Sequence, residues 1–343
     1  MSFPKVTIQI VSYNSRRYLP DCLKSILSQT YRDFQILVVD NNSLDGTADY
    51  LRHHHPEVAV FQNKQNLGFA KANNQGIRLL NSPYVVLCNP DIVLEPDWLE
   101  KIMVKAEDGS YAEYGSFGGR LLKLEITNYE TGETQKTGIV DSCGLEIFKS
   151  HQVKERGAGR DKNGFSSEEE VFGLSGALAM YRREALQDVL LKTKRNPEGE
   201  CFDEDFFFYK EDIDLAWRMR LRSWKALFLP EAEAYHVRAL KESGFSWKQK
   251  LKAKKEQSSS AKYYSFRNHS WIMVKNEFGN NVLKCFFPIF FFELKRFFYA
   301  LFLDWFLLKA GFASLAGWSK MLEKRKIIFK RLEVDDLEIS KWF

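Results

Sequence analysis

Three acids, far apart in the chain, carry the chemistry that can be read from this sequence. Asp40 ends the apolar run Phe34-Gln35-Ile36-Leu37-Val38-Val39-Asp40, and Asp91 ends Leu87-Cys88-Asn89-Pro90-Asp91. Apolar, β-rich runs that stop at a carboxylate describe buried parallel strands whose carboxyl ends line a crevice. A carboxylate there can accept hydrogen bonds from a base or ribose, or share a divalent cation with phosphate and water. Each is also an ordinary turn or cap residue when taken alone. The third acid is Asp212, within Tyr209-Lys210-Glu211-Asp212-Ile213-Asp214-Leu215. Acids suit the positive end of a helix, which is the plain structural account of that cluster. Against it stands Phe206-Phe207-Phe208 just before, an apolar setting that raises a carboxylate pKa and favours a general base, with Glu211 beside Asp212. His236 follows a strand that the pattern places at 226–229. Alone it reads as a packed or surface residue, as His53, His54 and His55 read as a solvated helix end.

The elements that must position these residues alternate. A strand at 6–11 is followed by Leu19, Cys22, Leu23, Ile26 and Leu27 at helical spacing, with Pro20 and Asp21 as opening residues. Strands are expected at 34–39, 58–61 and 84–87, helices at 70–80 and after Pro96-Asp97-Trp98. This β-α order implies right-handed crossovers and an α/β fold with a mainly parallel sheet. The stretch 109–173 is rich in Gly, Thr, Glu and Lys and shows no assignable period. Order returns at 171–180 and 206–219, and no internal repeat is present.

Composition narrows the class. The chain has 343 residues, enough for one large core or a domain with an appended module, and its formal charge of +5 is too small to argue for nucleic acid. Its 5 cysteines are scattered and odd in number, against a disulfide framework or a Cys-based zinc site. Met1-Ser2-Phe3-Pro4-Lys5 runs straight into a strand, so no signal peptide is expected.

Val11-Ser12-Tyr13-Asn14, Val38-Val39-Asp40-Asn41-Asn42-Ser43-Leu44-Asp45-Gly46-Thr47, Asn66-Leu67-Gly68-Phe69-Ala70-Lys71-Ala72-Asn73-Asn74-Gln75-Gly76, Leu87-Cys88-Asn89-Pro90-Asp91, Gly173-Leu174-Ser175-Gly176-Ala177 and the 209–215 segment occur in that order. The ordered set resembles family 2 glycosyltransferases, in their bacterial rhamnosyltransferase-like branch, over about 6–236. The resemblance implies a GT-A fold, a nucleotide-diphospho-sugar donor (dTDP-rhamnose favoured) and inverting transfer to a saccharide or lipid-linked saccharide in cell-surface polysaccharide synthesis. It implies a donor site of Ser12, Tyr13, Asn14, Asp40, Asn42, Gly68, Lys71 and Asn89, with Lys71 approaching the diphosphate. It further implies Asp212 as base with Glu211 beside it, and Mg²⁺ or Mn²⁺ on Asp91 with His236. Asn89 stands where the family's Asp-x-Asp element has its first acid, which leaves the cation fewer charged ligands. A sugar nucleotidyltransferase is the alternative, but it would want a Gly-rich basic loop where Ser12-Tyr13-Asn14-Ser15 stands. A non-catalytic sugar-nucleotide-binding scaffold is the other alternative, and intact Asp40, Asp91 and Asp212 argue against it.

The catalytic domain is expected at 1–240. The remainder, 241–343, opens with a Lys-rich segment at 241–262 and continues as a Phe-rich helix at 285–308 interrupted by Glu293, Lys295, Arg296 and Asp304. Too few uninterrupted apolar residues are present to span a bilayer. An interfacial helix on the inner, cytoplasmic face of the cell membrane is expected. Packing against the catalytic domain, or against a second subunit in an oligomer, is the alternative.

Overall fold

The computed structural model describes residues 3–128, 133–237 and 258–343. Strands β1 (Val6–Ser12), β2 (Phe34–Asp40), β3 (Ala59–Gln62) and β4 (Tyr84–Cys88) run parallel in the spatial order β3-β2-β1-β4. Alternate residues face opposite sides, and both sides are covered. On one side Ile8 and Ile10 share a core with Leu19, Cys22, Leu23 and Ile26 of α1 (Leu19–Leu27). On the other, Val11, Leu37 and Val39 pack with Ala72 of α3 (Phe69–Leu79). The short α2 (Thr47–His54) joins β2 to β3 and ends in exposed His53 and His54, as the sequence suggests.

After β5 (Ile92–Leu94) and α4 (Trp98–Glu107), the unassigned stretch contains most of the remaining sheet. β6 (Tyr114–Ile126) is followed by β7 (Thr134–Ser142), a β8 (Leu145–Ile147)–β9 (Val153–Glu155) pair and β10 (Glu169–Val171). Then β11 (Leu178–Arg182) lies antiparallel between β4 and β6, ahead of α5 (Arg183–Asp188). The last strand, β12 (Lys225–His236), pairs parallel with β6 and takes β5 and β10 on its flanks. The sequence ends a strand at Leu229 because Pro230 cannot donate to a ladder. The register instead shifts between Leu229 and Glu233, a bulge that lets the strand continue to His236. Gly119 makes room for it, since a Cβ there would fall 1.8 Å from the Ala232 carbonyl oxygen.

Helix α6 (Glu211–Leu221) is enclosed on nearly every side. Arg218 and Arg222 are expected on the helical side opposite Leu215 and Met219, although a spacing of three residues leaves Arg218 only about 60° from Leu215. In the structure Arg218 is buried, its Nε donating to Asp214 Oδ2 at 3.0 Å and its Nη1 to the Val189 carbonyl at 2.6 Å, while Ile213 and Trp217 of α6 share a core with the C-terminal helices. These are α7 (Ser259–Asn276), α8 (Gly279–Lys284), α9 (Phe286–Phe302), α10 (Phe306–Ala316), α11 (Trp318–Phe329) and α12 (Asp336–Ser340). Most of the Lys-rich segment lies outside the described residues. The single Phe-rich helix expected at 285–308 is two helices, α9 and α10, broken around Asp304, which pairs with Lys262 of α7 at 3.2 Å.

Two lysines from this helical region enter the core beneath α6. Lys275 Nζ of α7 contacts Asp203 and lies 2.7 Å from Asp214 Oδ1. Lys324 Nζ of α11 contacts Asp203 and lies 2.8 Å from Glu200 Oε1 and 2.9 Å from Asp205 Oδ2. Asn276 Nδ2 donates to Asp214 at 2.8 Å. The helices are therefore built into the support of the 200–214 segment. Among the described residues no helix is long and apolar enough to cross a membrane.

Candidate active site

The carboxyl ends of β1 and β2 place Ser12 and Asp40 side by side. Asp40 is fully buried, and its Oδ2 accepts from the Ser43 amide at 3.3 Å. Among the described residues, Asp40 Oδ1 and the Ser12 hydroxyl are buried without a hydrogen-bond partner. Leaving such a group unsatisfied costs about 1–3 kcal/mol, so the pair suits a polar ligand that completes it. The two loops above are clipped together by Asn14, whose amide donates to Ser43 Oγ at 2.9 Å and whose Oδ1 accepts from the Leu44 amide at 2.8 Å. Asn14 and Asn42 both have positive φ, 52° and 66°, which asparagine tolerates better than most residues. Tyr13 stands exposed on the rim.

Asn41 was legible only as one letter of a motif, yet it is the hub behind this rim. Its Nδ2 donates to Asn66 Oδ1 at 2.9 Å and to the Gly68 carbonyl at 3.2 Å, while its Oδ1 accepts from Leu67 N and Asn63 Nδ2. Gly68, with φ 83°, lies so close to Phe207 that a Cβ would sit 2.5 Å from that residue's carbonyl oxygen. Lys71 stands half-exposed on the first turn of α3, its Nζ 3.6 Å from Glu204 Oε2.

The second corner forms at the end of β4. The Asn89 amide donates to the Ala177 carbonyl at 2.8 Å, and the Asp91 carbonyl accepts from Val237 N at 3.0 Å. Asp91 Oδ1 lies 3.3 Å from His236 Nε2, and His236 Nδ1 lies 2.8 Å from Asp141 Oδ2. Burial alone would keep the imidazole neutral; its bonds to Asp141 and Asp91, with their charges, outweigh that and raise its pKa to about 9. Asp141 orients the ring from behind, as a carboxylate does for a metal-ligating histidine. Sequence reasoning missed Asp141, which lies in the stretch without a period. Among the described residues no group of three or more His, Cys, Asp or Glu is placed to hold an ion. The donor set of Asp91 and His236 fits Mg²⁺ or Mn²⁺ only as part of a shell that phosphate and water complete.

The third corner is Asp212 on the first turn of α6. Its Oδ2 accepts from the Gly176 amide at 2.9 Å and its Oδ1 from the Ile213 amide at 2.8 Å. Gly176 adjoins Ala177, so the turn after Ser175 ties Asp212 directly to the Asn89–Asp91 corner. Burial raises the Asp212 pKa, and the two amide bonds hold it back only in part. Glu211 is more deeply buried, its Oε2 lacking a partner among the described residues; burial and then the Asp212 charge push its pKa well above the usual range. Asp212 keeps some exposure, so it is the acid of the two that an acceptor can reach.

Phe207, Tyr209 and Lys210 all have positive φ, between 66° and 70°. This uncommon backbone is held by α7. Asn268 Nδ2 donates to the carbonyls of Phe206, Phe208 and Tyr209, and Arg267 Nη2 to those of Asp205 and Phe206. Neither residue is signalled in the sequence, because the pairing spans about sixty positions. Asp40 and Asp91 thus flank β1 at one sheet edge, and Asp212 is tied to that edge through Gly176.

The arrangement has relatives. The chain is 25% identical over 242 residues to an N-acetylglucosaminyl-diphospho-decaprenol L-rhamnosyltransferase of Mycobacterium tuberculosis, covering 67% of this chain and 75% of that one. It is 27% identical over 155 residues to an uncharacterized glycosyltransferase of Haemophilus influenzae, covering 42% of this chain and 48% of the relative. The match thus spans about half the length of the Haemophilus protein. Among solved structures, S. aureus TarS 1-349 aligns over 96% of this chain and 83% of its own, with a TM-score of 0.55 at 15% identity. GalNAc-T7 with UDP, GalNAc and Mn²⁺ aligns over 94% of this chain and 54% of its own, with a TM-score of 0.59 at 14% identity. Those likenesses establish the GT-A-like fold. The family model for glycosyl transferase family 2 matches residues 7–190, more than half of the chain, and the chain belongs to that family.

Proposed function

We propose that this protein is an inverting glycosyltransferase that moves a sugar from a nucleotide-diphospho donor to a saccharide or lipid-linked saccharide. The observation that carries the reading is the hydrogen bond from Gly176 to Asp212, which fixes a raised-pKa carboxylate beside the Asp91–His236 corner. Ser12 and Asp40 would receive the base and ribose, with Tyr13, Asn14 and Asn42 framing them and Gly68, Lys71 and Asn89 lining the approach to the diphosphate. Asp91 and His236 would hold a divalent cation, which when bound neutralises charge growing on the departing diphosphate. Asp212 would take the proton of the acceptor hydroxyl as its oxygen attacks the anomeric carbon from the opposite side. Glu211 would stay protonated behind it. Rhamnose from dTDP-rhamnose is the favoured donor sugar, a preference supported by the name of the mycobacterial relative.

A thermal-shift and turnover screen of nucleotide sugars tests the reading. Stabilisation by one donor in Mn²⁺, lost in chelator, is expected; a protein stabilised by none would overturn it.

Contact with the inner face of the cell membrane belongs to the same proposal. Its support is the outer side of α9 and α10, where Phe287, Phe291, Phe297, Phe302, Trp305 and Phe312 are exposed, Phe302 at 72% and Trp305 at 73%. Exposed Lys295 and Lys309 lie among them, which suits an anionic bilayer. The polar side of α9 turns inward instead, where Glu293 Oε1 lies 3.1 Å from His269 Nε2 and 2.6 Å from Arg296 Nη1. In flotation with anionic liposomes the full chain should rise with the vesicles, and the double substitution Phe291→Asp, Phe297→Asp should leave it at the bottom. Equal flotation of both would refute the contact.

A further inference from the structure

Glu155 closes β9 and stands, half-buried, between two of the corners described above. Ser142 Oγ donates to its Oε2 at 2.6 Å, and Ser175 Oγ donates to its Oε1 at 3.0 Å. Both serines are buried, so each hydroxyl needs a partner within the protein. Each also adjoins a residue that orients the site. Ser142 follows Asp141, whose Oδ2 meets His236 Nδ1 at 2.8 Å. Ser175 precedes Gly176, whose amide donates to Asp212 Oδ2 at 2.9 Å. That turn lies so close to α6 that a Cβ at Gly176 would fall 3.0 Å from the Asp212 Cβ. The β8–β9 pair rests against the start of the same turn, the Leu145 amide donating to the Gly173 carbonyl at 2.8 Å. One carboxylate therefore ties the strand behind His236 to the turn that holds Asp212.

We propose that Glu155 is a positioning residue whose two oxygens, one on Ser142 and one on Ser175, set the distance between Asp212 and the Asp91–His236 corner. This rests on the glycosyltransferase reading above and adds a residue to its machinery. Inverting displacement puts the base on one side of the anomeric carbon and the departing diphosphate on the other. A misplacement of about 1 Å along such a line can cost about 10²-fold in rate. The bonds within each corner orient its side chains but do not fix one corner against the other. Two ties do so. The Asn89 amide holds the Ala177 end of the turn at 2.8 Å, and Glu155 holds the Ser175 end. The span, not the charge, is what this arrangement uses. A glutamine can keep it: Oε1 takes Ser175, and Nε2 donates to Ser142 Oγ, whose proton turns to the Gly144 carbonyl 3.2 Å away.

The test uses the full chain and follows turnover of dTDP-rhamnose, or of whichever nucleotide sugar stabilises the chain, across pH with water as acceptor. UDP and dTDP with Mn²⁺ are the binding probes. Glu155→Ala should turn over about 10–10²-fold more slowly while binding the nucleoside diphosphate as the native chain does. Its low-pH limb should also rise by about one unit, because the Gly176 bond that holds down the Asp212 pKa is weakened. The other titratable groups acting on Asp212, which are Lys210 and Glu211 on its own segment and Tyr181 of β11, are unchanged. Glu155→Gln should keep both the native rate and the native limb. A charge acting at a distance would instead move both variants alike, and downward, so a glutamine as damaged as the alanine overturns the proposal. So does a native rate or an unmoved limb in Glu155→Ala, or a loss of nucleoside diphosphate binding. If Glu155→Ala does not fold, Ser175→Ala decides: the same rise of the limb is expected, and an unmoved limb overturns the proposal. Failure of both to fold would make the contact part of the fold alone and overturn it too. A native chain that binds no nucleoside diphosphate and turns over no nucleotide sugar defeats the glycosyltransferase reading instead, so the two failures stay distinct.

Discussion

Asp212→Asn should leave donor binding intact and reduce sugar transfer by about 10²–10⁴-fold, the usual worth of a positioned general base. The asparagine side chain is nearly the same size and its one acceptor oxygen can still take the Gly176 amide, at the loss of the Ile213 bond, so the turn that links it to Asn89 should survive. What it cannot do is take a proton. Single-turnover rates beside donor affinity, measured by the thermal shift, separate these effects; transfer within about threefold of the native rate would remove Asp212 from the chemistry. The native enzyme's pH profile gives a second check. Burial raises the Asp212 pKa, and the base works only when ionised, so transfer should fall as the pH drops through a value above the ordinary aspartate pKa of about 3.9. The low-pH limb should be absent from the residual activity of Asp212→Asn.

Lys275→Met should destabilise the protein by about 3–5 kcal/mol, the cost of removing one partner from a buried charge cluster. Lys275 is fully buried, and its loss leaves Asp214 with Arg218 and Asn276, and Asp203 with Lys324 as its one cation beside the Asp205 amide, among the described residues. Because Asp203 and Asp214 bracket the segment that carries Phe207, Lys210 and Asp212, activity should fall at temperatures where the variant is still folded. Urea midpoints together with transfer rates would show this; an unchanged midpoint would mean that the helical region does not support the active-site segment. The native cluster also has a pH signature. Burial would raise the Asp203 pKa, but Lys275 and Lys324 outweigh it and hold the carboxyl far below the usual range. A depressed folded pKa contributes stability that is fully present above the unfolded value of about 3.9 and is lost as the pH falls toward the folded one. Acid unfolding of the native chain should therefore begin below about pH 4 in part through Asp203, and Asp203→Asn should flatten that limb.

The two halves of the chain differ in how far they could be read. From Val6 to Cys88 the strands and the helices α1 and α3 were legible within a residue or two, because β1, β2 and β4 are largely buried and each helix is buried on one stripe, so local periodicity reports the environment directly. Beyond Gly109 the strands are short or irregular, and β12 carries a proline at a bulge; their burial comes from partners far along the chain, so no local period records it. Arg218 was misplaced because positions three apart share a helix face, so it lies beside Leu215 and not opposite it. The helix pattern is computed for one exposed side, and α6 has none once α7 and α11 are in place.

The positions of Asp40, Asp91 and Asp212 in their motifs were set in the sequence, since strand ends and a helix start are local events. Their meeting at one edge, the ring of His236 turned by Asp141, and the left-handed turn held by Asn268 and Arg267 were decided only in three dimensions. Each of those depends on contacts between residues tens of positions apart or more, and a side chain's free energy is fixed by what finally surrounds it.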